Sequence, residues 1–294
     1  MISTKVGFIG LGNLGMVVCK KIAFEKVPLT VFDLDRKLVD EMVAAGAKAA
    51  GSSREVAAAS DVTVILVRDE RQNDAVIFGK DGVWEGVKKD STIVLSATIG
   101  PSYARKIYNM AKEKGVHVVD CPITAEARSF TPGEEWGLWT LLIGGDEADV
   151  KRCWPVFEAM GKNLFYLGPV GSGMAGKAVN NLAMYANNIV ARECANIALK
   201  AGLDLQQVSR AIMVGTGRSG GFSGMTRRMT GPRGGRPSSG LGTDAATEDL
   251  GTKDKRVALE LADEVGASAP VVRFMEKLDL EKTYEAYAAK MGRR

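Results

Sequence analysis

The feature that most restricts this chain is a glycine pattern set between two strands. Val6-Gly7-Phe8-Ile9-Gly10-Leu11-Gly12-Asn13-Leu14-Gly15 reads as a strand running into G-x-G-x-x-G. A helical stretch, Met16–Phe24, follows it, and a second strand closes at Val31-Phe32-Asp33. In that order the pattern has specific mechanics. Gly10 permits the tight turn, Gly12 lets the backbone approach a pyrophosphate, and Gly15 lets the helix pack against the sheet. With Leu11, Asn13 and Leu14 completing the turn, the phosphates sit at a helix N-terminus whose free N–H groups point at them. Asp33 stands 18 residues after Gly15, where an acid meets the adenosine ribose hydroxyls. A carboxylate there repels a 2′-phosphate, so NAD is expected over NADP, with Arg36 near enough to soften that preference.

The first half of the chain alternates short apolar runs with helical stretches such as Arg36–Ala45 and Pro101–Lys114. The runs are Val6–Gly10, Leu29–Asp33, Val62–Val67, Thr92–Leu95, Val116–Asp120 and Thr140–Ile143. Continuous β-branched runs separated by helices predict a parallel sheet covered on both faces, hence a doubly wound α/β domain. Beyond about Leu167 the breaker cluster Gly168–Gly173 leads into helical segments near Met174–Ala201, Leu205–Val214, Leu250–Val265 and Ala269–Lys277. The expected organisation is therefore an α/β domain over 1–167, then an all-helical domain over 168–294. Gly215–Gly251, rich in Gly, Ser, Pro and Arg, reads as a loop. Its arginines 218, 227, 228, 233 and 236 serve either an active-site lid that attracts an anionic substrate or a solvated surface.

Composition narrows the chemistry. The chain has 294 residues and one histidine, His117, so no His-based metal site can be built and no metal is expected. A Ser-His-Asp or Cys-His site would have to use His117, which sits at the start of an apolar strand and reads as structural. Cys19, Cys121, Cys153 and Cys194 are scattered without a C-x-x-C pair, as expected of reduced thiols in the cytosol. No apolar run approaches the ~18 residues of a membrane span. A strand pattern starting near Lys5 leaves no room for a signal peptide, so a cytoplasmic protein is expected. The net charge of +4 is too small to argue for nucleic acid, and no aromatic stacking platform accompanies the arginines.

The second chemical pattern is Gly171-Ser172-Gly173-Met174-Ala175-Gly176-Lys177-Ala178-Val179-Asn180-Asn181, at the opening of the long helix. Lys177 and Asn181 are i and i+4 and share a face, which Tyr185 and Asn188 extend. That polar stripe lines a cleft or is a solvated face. An alcohol dehydrogenase must remove the hydroxyl proton as hydride leaves the carbon. With histidine scarce, a lysine whose pKa burial brings toward ~7–8 is the available base. Asn181 would orient the substrate hydroxyl.

Taken together, these motifs resemble the β-hydroxyacid dehydrogenase family, whose members include 3-hydroxyisobutyrate dehydrogenase and, more distantly, 6-phosphogluconate dehydrogenase. Asp120-Cys121-Pro122-Ile123-Thr124 is similar to the family's D-A-P-V-S, and Gly144-Gly145-Asp146 to its G-G. Gly171–Asn181 matches G-x-G-x-x-x-K-x-x-N-N, and Lys253-Asp254 resembles the K-D that opens a late helix. The resemblance implies a Rossmann domain and a helical C-terminal domain joined by a long interdomain helix, with substrate at the domain interface. It implies Lys177 as catalytic lysine, Asn181 as catalytic and substrate-binding asparagine, and Thr124 and Ala125 in the substrate loop. Lys253 would lie near the nicotinamide, Thr98 at the cofactor ribose and Val67 at the cofactor through its backbone. A homodimer or homotetramer acting on a small molecule is implied.

The chain also departs from the family pattern. Ala125 and Glu126 replace the glycines of S-G-G, so Arg128 or the arginine-rich loop compensates, or the substrate is not a small 3-hydroxy acid. Trp136 and Trp139 belong to a bulkier substrate pocket or to packing, and Arg68 replaces a proline. Two other readings share the fold: an imine-reductase-like NADP-dependent enzyme, which usually lacks the lysine, and a catalytically retired cofactor-binding module.

Overall fold

The structure, a computed structural model, describes residues 3–124, 137–230 and 245–278, with 283, 285 and 289; for 227–230 and 245–252 it describes the backbone alone. The chain forms two compact units, Met1–Lys177 and Ala178–Arg294.

The first unit begins β1 (Val6–Ile9), α1 (Asn13–Phe24), β2 (Leu29–Phe32), α2 (Arg36–Ala44), β3 (Lys48–Ala49), α3 (Ser53–Ala59) and β4 (Val62–Ile65). It continues α4 (Glu70–Phe78), α5 (Val83–Gly86), β5 (Thr92–Leu95), α6 (Pro101–Glu113), β6 (His117–Asp120) and β7 (Ile123–Thr124). It closes with β8 (Thr140–Gly145), α7 (Glu147–Met160), β9 (Asn163–Gly168) and the start of α8 (Ser172–Lys200). The sheet order β3-β2-β1-β4-β5-β6-β8-β7, with β9 beside β8, contains the doubly wound 3-2-1-4-5-6 arrangement in its parallel part.

The strand sequences explain the layering. Phe8, Val64, Val94 and Val119 enter one buried cluster with Val18, Ile22, Val39, Phe157 and Met160 of α1, α2 and α7. Their neighbours Ile9, Ile65, Leu95 and Val118 enter a second cluster with Val56, Ile77 and Ile107 of α3, α4 and α6. Alternate residues face opposite sides of the sheet, and both sides are covered, so the runs read as continuously apolar. Among the described residues no helix is long and apolar enough to cross a membrane.

The purely parallel sheet expected from the sequence is corrected in one region. β8 runs antiparallel to β6 and β7, pairing Asp120 with Gly144 and Thr124 with Thr140. Parallel pairing needs a crossover that returns the chain to the same end of the sheet, which α7 provides between β8 and β9.

The second unit holds the rest of α8, then α9 (Leu205–Val214), α10 (Gly220–Thr230), α11 (Ala245–Glu264) and α12 (Pro270–Met275), with no strand among its described residues. The loop expected over Gly215–Gly251 is thus partly helical. Phe222 and Met225 of α10 bury themselves against Ala191, Ala195 and Ala198 of α8, and this packing outweighs the helix-breaking tendency of Gly220, Gly221 and Gly224.

Trp139 belongs to the core, not to a pocket wall. It is fully buried, and its Nε1–H donates to the Met160 carbonyl at 2.7 Å, satisfying the C-terminal carbonyl of α7. Replacing Trp139 by Phe strands that buried acceptor. The expected loss, read by urea unfolding, is roughly 1–3 kcal/mol.

Candidate active site

Backbone contact shapes the glycine turn. Gly10 has φ of 98°, and a Cβ there would sit 2.3 Å from the Leu66 carbonyl oxygen. A Cβ on Gly15 would lie 2.0 Å from the Gly10 carbonyl oxygen. Both positions exclude any side chain. Gly12 differs, because a Cβ there would meet nothing within 4 Å. It is the N-cap of α1, without a side-chain cap or an acid in the first turn. The first helical bond runs from Met16 N–H to the Gly12 carbonyl at 2.8 Å, so the amides of Asn13, Leu14 and Gly15 lack an intrahelical acceptor. Open space beside uncapped amides at a positive helix end fits a cofactor pyrophosphate.

Asp33 closes the turn from β2. Its carboxylate accepts from Leu11 N–H at 2.6 Å and Asp35 N–H at 2.9 Å, so the acid also holds the glycine loop. Arg36 pairs with Asp40 at 3.1 Å. Val67 follows β4 and abuts Gly10, its Cγ1 lying 3.2 Å from the Cβ position there. Thr98, half-buried, follows β5, and its turn is held from α4 by Gly100 N–H donating to Glu70 Oε1 at 2.9 Å. The loop, Asp33, Val67 and Thr98 thus all follow the carboxyl ends of parallel strands, where doubly wound sheets bind ligands.

Lys177 lies in the second turn of α8. Its Nζ donates to the Ile123 carbonyl at 2.8 Å, which places the ammonium beside Thr124, in the short strand β7. The start of α8 is held by Asp120, which the sequence motif contained but did not single out as a site residue. Asp120 is fully buried; Oδ1 accepts from Gly171 N–H at 2.7 Å and Oδ2 from Met174 N–H at 2.8 Å. Burial pushes this carboxyl up to about 6, against the lowering effect of those N–H groups. The neighbouring Cys121 thiol is raised well above its ordinary value by burial and by the Asp120 charge, so it is no nucleophile. His117 stands at the opposite end of β6, its Nδ1 2.9 Å from Asp149 Oδ1.

The second unit carries its own polar cluster. Asn181 is buried and donates from Nδ2 to Asp254 Oδ2 at 2.8 Å. Tyr185 Oη reaches the same oxygen at 3.4 Å, and Lys253 Nζ lies 3.4 Å from Asp254 Oδ1. Burial and then the Asp254 charge raise the Tyr185 phenol, which stays neutral. At Asn181 and Tyr185 the polar stripe is therefore buried against Asp254 and is no solvated face. Lys253-Asp254 does not open α11 but lies in its third turn, since the helix begins at Ala245. Sequence reasoning missed Asp254 as the common acceptor. Its adjacency to Lys253 was the available signal. Ala125, Glu126, Arg128, Trp136, Arg233 and Arg236 lie outside the described residues, as do the side chains of Arg227 and Arg228.

Residues 5–168 match the family model of the NAD binding domain of 6-phosphogluconate dehydrogenase. Residues 171–292 match that of the NAD-binding domain of NADP-dependent 3-hydroxyisobutyrate dehydrogenase. The chain is 32% identical to 2-(hydroxymethyl)glutarate dehydrogenase of Eubacterium barkeri, covering 92% of this chain and 86% of that protein. It is 30% identical to the NAD-dependent L-serine dehydrogenase of Pseudomonas aeruginosa, covering 72% and 70%. Among solved structures, 3-hydroxyisobutyrate dehydrogenase from Salmonella typhimurium aligns with a TM-score of 0.76 at 24% identity, over 92% and 91% of the two chains. An imine reductase from Myxococcus stipitatus, in complex with NADP+, shares the fold at a TM-score of 0.63 and 19% identity, over 92% and 91%.

The open space at Gly12 gives a direct test of the cofactor site. Gly12→Ala is accommodated by the fold, so the thermal midpoint stays unchanged. The added methyl enters the space read as the phosphate cradle, and the Kd for the dinucleotide, measured by titration, rises about tenfold or more, equivalent to about 1.4 kcal/mol.

Proposed function

The chain belongs to the 3-hydroxyisobutyrate dehydrogenase-like family of β-hydroxyacid dehydrogenases, and from that premise we propose that it oxidises the primary hydroxyl of a β-hydroxy acid with NAD, using Lys177 as general base. The family consists of NAD(P)-dependent dehydrogenases acting on CH–OH donors. The observation that carries the lysine assignment is the Lys177 Nζ held at the Ile123 carbonyl beside Thr124.

In this reading residues 1–167 are the cofactor domain and 168–294 the helical substrate and dimerisation domain of a cytoplasmic homodimer or homotetramer. The bound dinucleotide supplies the hydride acceptor. The amides of the Gly10–Gly15 turn hold its pyrophosphate, Asp33 meets its ribose, and Val67, Thr98 and Lys253 contact the rest. Asp33 supports NAD over NADP, because a second negative group beside its carboxylate is repelled. Lys177 takes the substrate hydroxyl proton in oxidation and returns it in reduction. Thr124, Ala125 and Asn181 position the substrate.

The compounds named for the relatives share one feature. 2-(Hydroxymethyl)glutarate, L-serine and 3-hydroxyisobutyrate each carry a CH2OH group on the carbon next to a carboxylate. That unit, with a varied third substituent, is the substrate class proposed for this chain. An imine-reducing enzyme and a retired module share the fold, and the presence of Lys177 with Asn181 supports the alcohol reading over both.

The reading is tested by turnover of those three acids and a cyclic imine with NAD and NADP. The acids are expected to react with NAD, and preferential imine reduction would overturn the proposal. Lys177→Ala should lower kcat by about 10²–10⁴-fold, with the Kd for NAD within about twofold. Full turnover in that variant sinks the mechanism. His117→Gln, whose partner is the structural Asp149, should leave kcat unchanged.

A further inference from the structure

Three sequence segments converge on the Asp120 carboxylate. Asp120 ends β6, Gly144 faces it from β8, and Gly171–Met174 form the first turn of the helix that carries Lys177. The fit leaves no spare volume. A Cβ on Gly144 would lie 2.6 Å from Asp120 Oδ1, and one on Gly173 would lie 2.9 Å from Oδ2. Its two oxygens accept N–H groups of this helix start, among them those of Gly171 and Met174. The negative charge also faces the positive end of the α8 dipole. Three residues beyond Met174, on the same helix face, Lys177 reaches back to the Ile123 carbonyl, three residues beyond Asp120. One strand end therefore fixes the helix at its first turn and its lysine at the second.

We propose that Asp120 is the positioning residue for Lys177: its ionised carboxylate locks the first turn of α8 to β6, so that the lysine amine emerges at Ile123 and Thr124 in reacting geometry. The proposal rests on Lys177 being the proton-transfer group. Protonation of Asp120 turns one acceptor oxygen into a donor and weakens its hold on the N–H groups of the turn. Among the described residues, the charged and titratable groups around it are few. Cys121 follows it on the strand, Arg105 of α6 approaches Gly171, and Lys177 stands on α8. The strands on either side, β5 and β8, oppose it with Leu95 and Gly144. His117, Asp149 and Arg152 cluster at the far end of β6.

The test is the pH profile of kcat in the reduction direction, with the semialdehyde of the preferred 3-hydroxy acid and saturating reduced dinucleotide. The wild-type profile should be a bell. Its alkaline limb belongs to Lys177, which must be protonated to donate. Its acid limb, with a midpoint near 6, belongs to Asp120. Asp120→Asn should lose the acid limb and about 10²-fold in kcat, with KM for the dinucleotide within about twofold. A second measurement needs no turnover. Deuterium exchange of the full-length protein with dinucleotide bound should quicken in peptides covering 170–176 of Asp120→Asn and stay unchanged over Gly10–Gly15. A merely structural Asp120 would lower stability without removing the acid limb. An acid limb retained in Asp120→Asn, or unchanged exchange over 170–176, overturns the proposal. So does a wild-type kcat that stays flat from pH 5 to 7, which decides the matter even if the variant does not fold. A missing alkaline limb with the exchange result intact overturns the Lys177 reading instead.

Discussion

The contact between two turns of backbone at the carboxyl ends of β1 and β4 sets the terms for the whole first unit. Gly10 lies under the Leu66 carbonyl, and Gly15 lies under the carbonyl of Gly10. This closeness brings the start of α1 against the sheet and points its uncapped amides along the strand ends. A side chain at either glycine would lift the helix and break the continuity between the strands and the amide cradle. Asp33 acts on the same geometry from the end of β2, because its carboxylate ties down Leu11 N–H. Both of its oxygens take part in the turn, Oδ2 with Leu11 N–H and Oδ1 with Asp35 N–H.

The opposite flank of the sheet solves a different problem. The parallel strands end at β6, and a second anchored helix start must be built there for α8. Turning β8 antiparallel brings Gly144 opposite Asp120 and leaves just enough room for the Gly171–Met174 turn. Acceptors for the helix start come from Asp120, on a strand 51 residues before Gly171 in sequence. A buried carboxylate bonded to N–H groups at a helix dipole is tolerated where an unpaired one would not be. Asp120 at the end of β6 therefore fixes the lysine helix to the parallel core, and β8 leaves the room for it.

Those two anchors differ in how legible they were. The glycine turn, Asp33 and the main strands are local patterns, and period-two burial on both faces leaves a continuous apolar signature at Val62–Ile65 or Thr92–Leu95. β3 has two residues and gives no period at all. β9, Asn163–Gly168, is half exposed and does not read as a core strand. α10 carries three glycines, and only the burial of Phe222 and Met225 against α8 makes it a helix. The direction of β8 depends on chain path, not on composition. Asp120 and Asp254 escaped notice as working groups because their partners lie 51 and 73 residues away, at Gly171 and Asn181. A buried carboxylate is identified by its donors, and long-range donors leave no spacing to read.

The choice of a carbonyl as the tether of Lys177 has a chemical consequence. The Ile123 carbonyl accepts an N–H from either form. When the amine is neutral, one N–H can stay on the carbonyl while the lone pair turns to a substrate hydroxyl. When the amine is protonated, the same bond persists and another N–H faces the substrate oxygen. Under the proposed function, this bond would let the lysine change protonation state in place, as a base that accepts and returns the same proton requires. A chain with a single histidine, itself engaged by Asp149, can run such a cycle without imidazole.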